Sequence, residues 1–290
     1  MIQEQWQQYL TGAPAEAAGG AGLAWLRDLA AVRFEGRSVR DFLQGYLTCD
    51  TRELEPGKLL PTALCNLKGR VVMNGWCAPA GDQDVLLVLH ESLVDRLTAF
   101  LKPYLMFSRN TTLADLRDHA VLLASLDLAD ASGLVLDDRR RLRVVTEIGD
   151  AQAAWEHHPH ITADRWLASL TTDGMALLSA PVSETFLPQM LDLDRSGAID
   201  FEKGCYLGQE VVARAQHRGQ VKRRLTRLIW EGSPPPEAGA DVTDPDGKPQ
   251  GVVLQSAADE RGQSGWLLAV LREGAPEGLR QGDVRVRSAP

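Results

Sequence analysis

The stretch "FEKGCYLGQE" at residues 201–210 guides the interpretation of this sequence. It places Cys205 between two glycines and two positions after Lys203. Glycines permit backbone angles that other residues avoid, so the stretch predicts a tight turn that leads into a short helix over "QEVVARAQ". A thiol near a lysine and a helix N-terminus is favoured as the thiolate, which makes Cys205 a candidate reactive or ligating residue. The alternative is ordinary packing, because cysteine is among the most often buried residue types.

A basic patch surrounds this motif on an otherwise acidic chain. Residues 203–227 contain seven basic residues and one acid, Glu210, while the whole chain has a net charge of -8. Arg218, Lys222 and Arg223 follow the predicted helix, where they would suit carboxylate or phosphate groups. A solvated charged surface is the alternative interpretation. The overall negative charge argues against direct nucleic-acid binding that depends on neutralising phosphates.

Composition indicates a folded protein of two or three compact units, with 44% hydrophobic and 24% charged residues in a chain of 290. No apolar run approaches the roughly 20 residues of a membrane span, and the start lacks a secretory signal, so we expect a cytoplasmic protein. The cysteines lack zinc-site spacing, and we interpret Cys49, Cys65 and Cys77 as packing residues. "HHPH" at 157–160 is interpreted as a loop and not as a metal site.

In the first three quarters of the chain, segments with the hydrophobic period of a strand alternate with segments that have the period of a helix. Three successive strands are predicted at 59–66, 70–79 and 84–90, and they form an antiparallel meander. A helix is predicted at 92–102, ended by Pro103. Because the strands and helices lack a regular βαβ period, the pattern predicts an α+β fold.

The last quarter of the chain has a different residue pattern. After Leu225, short strands alternate with turns rich in proline and glycine, which predicts a small β-domain. We therefore predict an α+β body at 1–225, which could comprise two subdomains, and a C-terminal β-barrel domain at 226–290.

Three strings of residues, in this order, resemble the YgfZ family of folate-binding proteins. They are "FLQGYLTCDTRELEPGK" at 42–58, "ALCNLKGRVV" at 63–72 and the segment 183–225, which contains "KGCYLGQE". The family is related to the glycine-cleavage T-protein, a tetrahydrofolate-dependent aminomethyltransferase. The resemblance implies a T-protein-like body around a central opening, followed by a β-barrel. It also implies a tetrahydrofolate-binding accessory protein for building or repairing iron–sulfur clusters, including those of tRNA-modifying enzymes.

The same resemblance assigns site residues. Cys205 would be the signature thiol, acting as a redox group or as a ligand of a transient iron–sulfur cluster, with Lys203 as its neighbouring cation. The ligand would be tetrahydrofolate or a one-carbon derivative, and the partners would be iron–sulfur enzymes and cluster assembly proteins. The pterin ring would stack near one tryptophan, and the folate glutamate tail would be drawn to the basic patch. The folate-binding residues implied in this way are Trp166, Tyr206, Gln209, Glu210, Arg218, Lys222 and Arg223.

Two departures from the family pattern bear on the chemistry. Some members carry a second pterin-contacting tryptophan where this chain has Leu29, and Trp25 lies close but out of register. The T-protein has a carboxylate on the strand where this chain has Met73 and Asn74, neither of which is an acid or base near neutral pH. A folate-dependent aminomethyl or one-carbon transferase, with Asp192 as its acid, therefore stays an alternative. The third alternative is an interaction protein that binds no cofactor.

Overall fold

The computed structural model describes residues 1–12, 20–108, 110–129, 131–218, 221–259 and 261–289, with the backbone alone at residue 218. Contacts divide the chain into two compact units, each discontinuous in sequence. Within the described ranges, no helix has both the length and the apolar composition needed to cross a bilayer. The first unit comprises 1–45, 50–61 and 75–166, and the second comprises 46–49, 62–74 and 167–290.

Helices and strands alternate through most of the chain, and strands alone follow the last helix. The helices are α1 (Ile2–Leu10), α2 (Val39–Gln44), α3 (Val94–Leu105), α4 (Ile148–His157), α5 (Ala163–Thr172) and α6 (Gln209–Arg218). The strands of the first part are β1 (Gly22–Trp25), β2 (Leu29–Glu35), β3 (Leu60–Cys65), β4 (Val71–Pro79), β5 (Val85–His90), β6 (Thr112–Asp115), β7 (Val121–Leu126), β8 (Leu134–Val135) and β9 (Arg140–Val145). The remaining strands are β10 (Arg223–Glu231), β11 (Asp241–Thr243), β12 (Pro249–Ala258), β13 (Ser264–Arg272), β14 (Arg280–Gln281) and β15 (Val284–Ser288).

A four-stranded sheet in the first unit has the order β1-β7-β9-β8, with antiparallel neighbours. Its apolar core joins the sheet to α1 and α4, because Trp6 and Trp155 are both buried with Leu23 and Leu123. The two indole rings meet edge to face with centroids 5.5 Å apart, a favourable aromatic geometry. This packing fixes α4 along one side of β9.

A five-stranded sheet has the order β3-β4-β5-β2-β6 and contains the predicted meander as three consecutive neighbours. The register pairs Trp76 with Val88, and both side chains are buried. The prediction that Pro103 ends the following helix is wrong, because α3 continues to Leu105. A proline so close to a C-terminus removes only one intrahelical hydrogen bond, while Leu97 and Leu101 still bury the apolar face of the helix.

The last six strands form a closed barrel of order β10-β13-β12-β11-β14-β15. The inward positions of β10 are apolar, with Leu228 and Trp230 buried beside Val253, Leu267 and Val286. The α+β class and the C-terminal barrel are therefore confirmed. The first barrel strand begins at Arg223, and the proposed domain boundary after residue 225 stays a prediction.

Candidate functional site at Cys205

The turn that carries Cys205 is tied to two segments of the second unit that lie far away in sequence. The Asp200 N–H donates to the carbonyl of Thr48 at 2.9 Å. The Thr48 hydroxyl donates to the carbonyl of Ala198 at 2.5 Å and accepts from the Ala63 N–H at 2.9 Å. Thr48 is fully buried, so it joins the approach to the turn, the 46–49 segment and β3 through bonds shielded from water.

Lys203 is buried directly beneath this turn, with only 4% of its surface exposed. Its ammonium donates to the carbonyls of Leu47 at 2.6 Å and Cys49 at 2.7 Å, and it lies 5.3 Å from the centre of the Tyr206 ring. A buried charge is costly unless its donors are bonded, and carbonyl oxygens and an aromatic face both stabilise a cation. Lys203 therefore anchors the turn to the 46–49 segment.

The other side of the turn is fixed by Tyr206 and Gly208. Tyr206 is 6% exposed, and burial raises the pKa of its hydroxyl, with smaller contributions from Cys65 and Asp200. Gly208 has φ of 82°, and a Cβ there would lie 2.4 Å from the carbonyl oxygen of Asn66. Only glycine accommodates both the left-handed angle and this close approach. The predicted tight turn and the following helix are thus confirmed.

The four cysteines differ sharply in accessibility. Cys49, Cys65 and Cys77 are buried, as the sequence predicts, whereas Cys205 is exposed. Burial raises the pKa of the Cys65 thiol to about 12, which suppresses its thiolate at neutral pH. Packing therefore accounts for three of the cysteines and does not account for Cys205.

We expect iodoacetamide to modify Cys205 at least about tenfold faster than the other three cysteines in the folded protein, because alkylation requires an accessible thiolate. Timed quenching followed by peptide mass spectrometry measures the four rates. Unfolding in guanidinium should bring the rates together, and Cys205→Ser should remove the fast phase. If Cys49, Cys65 or Cys77 reacts first in the folded state, the assignment of Cys205 as the accessible thiol is overturned.

The other motif residues lie at the two ends of α6 and at or just before the start of the first barrel strand. Gln209 and Glu210 begin the helix, and Glu210 forms the predicted pair with Arg214 at 2.7 Å on an exposed surface. Lys222 is exposed and Arg223 is half-buried. The side chain of Arg218 lies outside the described residues. The proposed folate roles of these residues stay predictions.

The first unit contains Trp166 and a pocket with a second tryptophan. Trp166 is 1% exposed, and its ring lies edge-on to Trp76 with centroids 6.5 Å apart. The pocket has a volume of about 420 Å³, and both Trp25 and Leu29 line it. The Arg27 guanidinium lies 5.4 Å from the centre of the Trp25 ring. Trp25, which lies close to Leu29 in sequence, thus also lines the same pocket as Leu29.

Met73 and Asn74, the strand residues that the family resemblance singles out, are both buried. Asn74 donates to the carbonyl of Ala176 at 2.7 Å and accepts from the Leu178 N–H at 2.8 Å, so its amide serves the backbone. Asp192 has a left-handed backbone with φ of 53°. Burial raises the pKa of Asp192 and Arg195 opposes that shift. The pKa of the Asp192 carboxyl group is thus raised above the ordinary value of an aspartate.

Comparison with known proteins identifies the family. No family model matches the chain. The chain is 31% identical to the tRNA-modifying protein YgfZ of Cronobacter sakazakii over 245 aligned positions, covering 75% of this chain and 74% of that protein. The chain belongs to the YgfZ family. The YgfZ of Sodalis glossinidius is 29% identical over 284 positions, covering 85% of this chain and 83% of that protein.

The fold extends beyond YgfZ proteins. The crystal structure of the glycine cleavage system aminomethyltransferase T from Bartonella henselae matches with a TM-score of 0.68 and 18% identity, over 93% of this chain and 84% of that chain. At this identity the likeness concerns the fold alone, and it confirms the predicted T-protein-like architecture.

Thr48 is a structural residue of the site that the sequence did not predict. It lies in the first YgfZ-like string, at 42–58, but its hydrogen bonds to Ala63 and Ala198 are visible only in the structure.

Proposed function

We propose that this chain is a tetrahydrofolate-binding accessory protein for the assembly or repair of iron–sulfur clusters, including clusters of tRNA-modifying enzymes. The observation that carries the proposal is the presentation of Cys205. It is exposed, while Lys203 and Tyr206 on either side of it are buried. A thiol held on a fixed turn keeps its geometry when a partner approaches, so little conformational freedom is lost on contact. The relatives are named tRNA-modifying proteins, which agrees with client enzymes that modify tRNA.

Cys205 would act as one ligand among several. Biological iron–sulfur clusters are commonly held by about four protein ligands. Among the residues that the structure describes, no three His, Cys, Asp or Glu side chains lie together in a way that could hold a metal ion. We therefore infer that the Cys205 thiolate binds iron of a cluster whose other ligands belong to a client or assembly protein. The bond is transient because a client thiolate can replace Cys205.

The Trp25 pocket is the candidate pterin site in the first unit. An indole offers a π-face for stacking a flat heterocycle, and Gln7 and Arg27 supply polar groups at the pocket wall. The volume of about 420 Å³ lies within the range of about 300–1,000 Å³ typical of small-molecule sites. Trp166 stays the second candidate wall.

Titration with tetrahydrofolate should quench tryptophan fluorescence with saturation, and Trp25→Leu should weaken the affinity at least about tenfold because it removes the stacking surface. Trp266→Leu is the matched control, since Trp266 is a half-buried tryptophan of the barrel outside the pocket. An absence of saturable binding up to millimolar ligand would refute the folate part of the proposal. Equal tetrahydrofolate affinity in the wild type and in Trp25→Leu would show that the pterin does not bind in this pocket.

A folate-dependent transferase is the second candidate, favoured by the raised pKa of Asp192. A carboxyl group with a raised pKa is a candidate general acid. We expect Asp192→Asn to leave the support of iron–sulfur enzymes unchanged, because asparagine tolerates the left-handed backbone and retains the side-chain shape. Complementation of a deletion strain measures this. A loss of about tenfold or more in a folded variant would instead favour the transferase.

A further inference from the structure

A second pocket in the first unit lies between β9 and α4 and shares no lining residue with the Trp25 pocket or the Cys205 turn. Its volume is about 320 Å³. Asp150 and His157 are seven positions apart on α4, so they share one face of the helix with Ala154 between them. Arg143 enters the pocket from β9. The α4 helix follows β9 after only two residues, so it runs back along the strand.

Two opposite charges line this pocket without a partner of their own. Among the described residues, neither the Arg143 guanidinium nor the Asp150 carboxylate has a hydrogen bond or an ion pair. Arg143 lines the pocket from β9, and Asp150 and Ala153 line it from α4. The two groups are therefore neighbours across the pocket that do not contact each other directly.

We propose that this pocket binds the zwitterionic head of a small α-amino acid. The Arg143 guanidinium would hold the ligand carboxylate in the two-pronged geometry that this fork favours, and Ser132 would donate a further hydrogen bond. Asp150 would accept from the ligand ammonium. The methyl groups of Ala153 and Ala154 line the same space, and the volume is near the lower limit for small-molecule sites. Both features favour a short ligand side chain.

The same groups disfavour simpler ligands. A phosphate or sulfate would gain from Arg143 but would be repelled by Asp150. A divalent cation would be repelled by Arg143, and Asp150 and His157 are separated by about 10 Å along the helix axis, too far to ligate one ion. A ligand that carries both charges can pair with Arg143 and with Asp150 at the same time.

L-Alanine, propionate and ethylamine test the proposal, because each of the last two lacks one charged group of the first. Titration of the ¹⁵N-labelled protein at constant pH and ionic strength should show saturable shifts at the amides of Gly133 and Ala153 with L-alanine. Propionate and ethylamine should each bind at least about tenfold more weakly, since each lacks one of the two charge-assisted contacts, to half-buried Arg143 or to exposed Asp150. Equal binding of propionate and L-alanine would replace the proposal with a simple anion site.

Variants locate the site independently of the ligand series. Arg143→Gln and Asp150→Asn should each weaken L-alanine binding at least about tenfold, and Ala153→Leu should abolish it by filling the space from an exposed helix position. The matched controls Arg141→Gln on β9 and Glu147→Gln before α4 remove the same charges outside the pocket lining. Circular dichroism confirms that each variant is folded. No saturable binding to the wild type up to about 50 mM, or equal loss in the control variants, would overturn the proposal.

Discussion

Cys205→Ser is expected to abolish the support of iron–sulfur enzymes while leaving the fold and the folate affinity unchanged. The substitution exchanges sulfur for oxygen at an exposed position, so it removes neither core volume nor an anchoring contact. Serine is not ionised at neutral pH and is a poor iron ligand, which removes the proposed ligation. Iron–sulfur enzyme activities in a deletion strain that expresses the variant should fall to the level of the empty vector.

Two further measurements make this result specific. Cys77→Ser tests whether loss of any thiol has the same effect, with its thermal unfolding measured because Cys77 is buried. Tetrahydrofolate titration of Cys205→Ser separates the two halves of the proposed function. Full activity of the Cys205→Ser strain would refute the thiol mechanism, even if the protein binds folate.

Lys203→Met is expected to lower the free energy of unfolding by about 2–4 kcal/mol. The substitution keeps a long, flexible side chain, but it leaves the buried carbonyls of Leu47 and Cys49 without their donor. Each unsatisfied buried acceptor costs about 1–3 kcal/mol, partly offset because the buried cation is also removed. Urea unfolding followed by fluorescence measures the change.

Lys68→Met is the matched control, because Lys68 is exposed on the turn before β4, and its stability should change by less than about 0.5 kcal/mol. Alkylation kinetics of Cys205 in folded Lys203→Met then separate anchoring from electrostatics. A slower reaction with an unchanged unfolding midpoint would show that Lys203 acts on the thiol through its charge. Reduced stability is the result that anchoring requires.

Some features of the site were predictable from sequence because they depend only on residues that are close together in the chain. The glycines on either side of Cys205 predict the turn, and the Glu210 to Arg214 spacing predicts an exposed helical pair. Burial of Cys49, Cys65 and Cys77 follows from their apolar neighbours. The α4 helix was not predicted, because its apolar face consists mainly of alanines and one tryptophan, which give a weak periodic signal.

Long-range contacts were beyond the reach of pattern reasoning. The sequence places Lys203 next to Cys205 and suggests an electrostatic role, but the bonds of Lys203 reach residues 156 and 154 positions away. Similarly, the Thr48 hydroxyl donates to the carbonyl of Ala198, which lies 150 positions away in sequence. Such proximity is set by tertiary packing, which no single segment encodes.

The discontinuity of the second unit has a consequence for biosynthesis. The carbonyls that bind Lys203 are translated some 150 residues before it, so the early segment leaves the ribosome long before its partner exists. At about 5–20 residues per second, that delay is on the order of ten seconds or more. During this time residues 46–49 and 62–74 lack the rest of their unit. Nascent chains stalled before residue 203 should therefore show protease sensitivity at these two segments, and chaperone binding there would protect the growing chain.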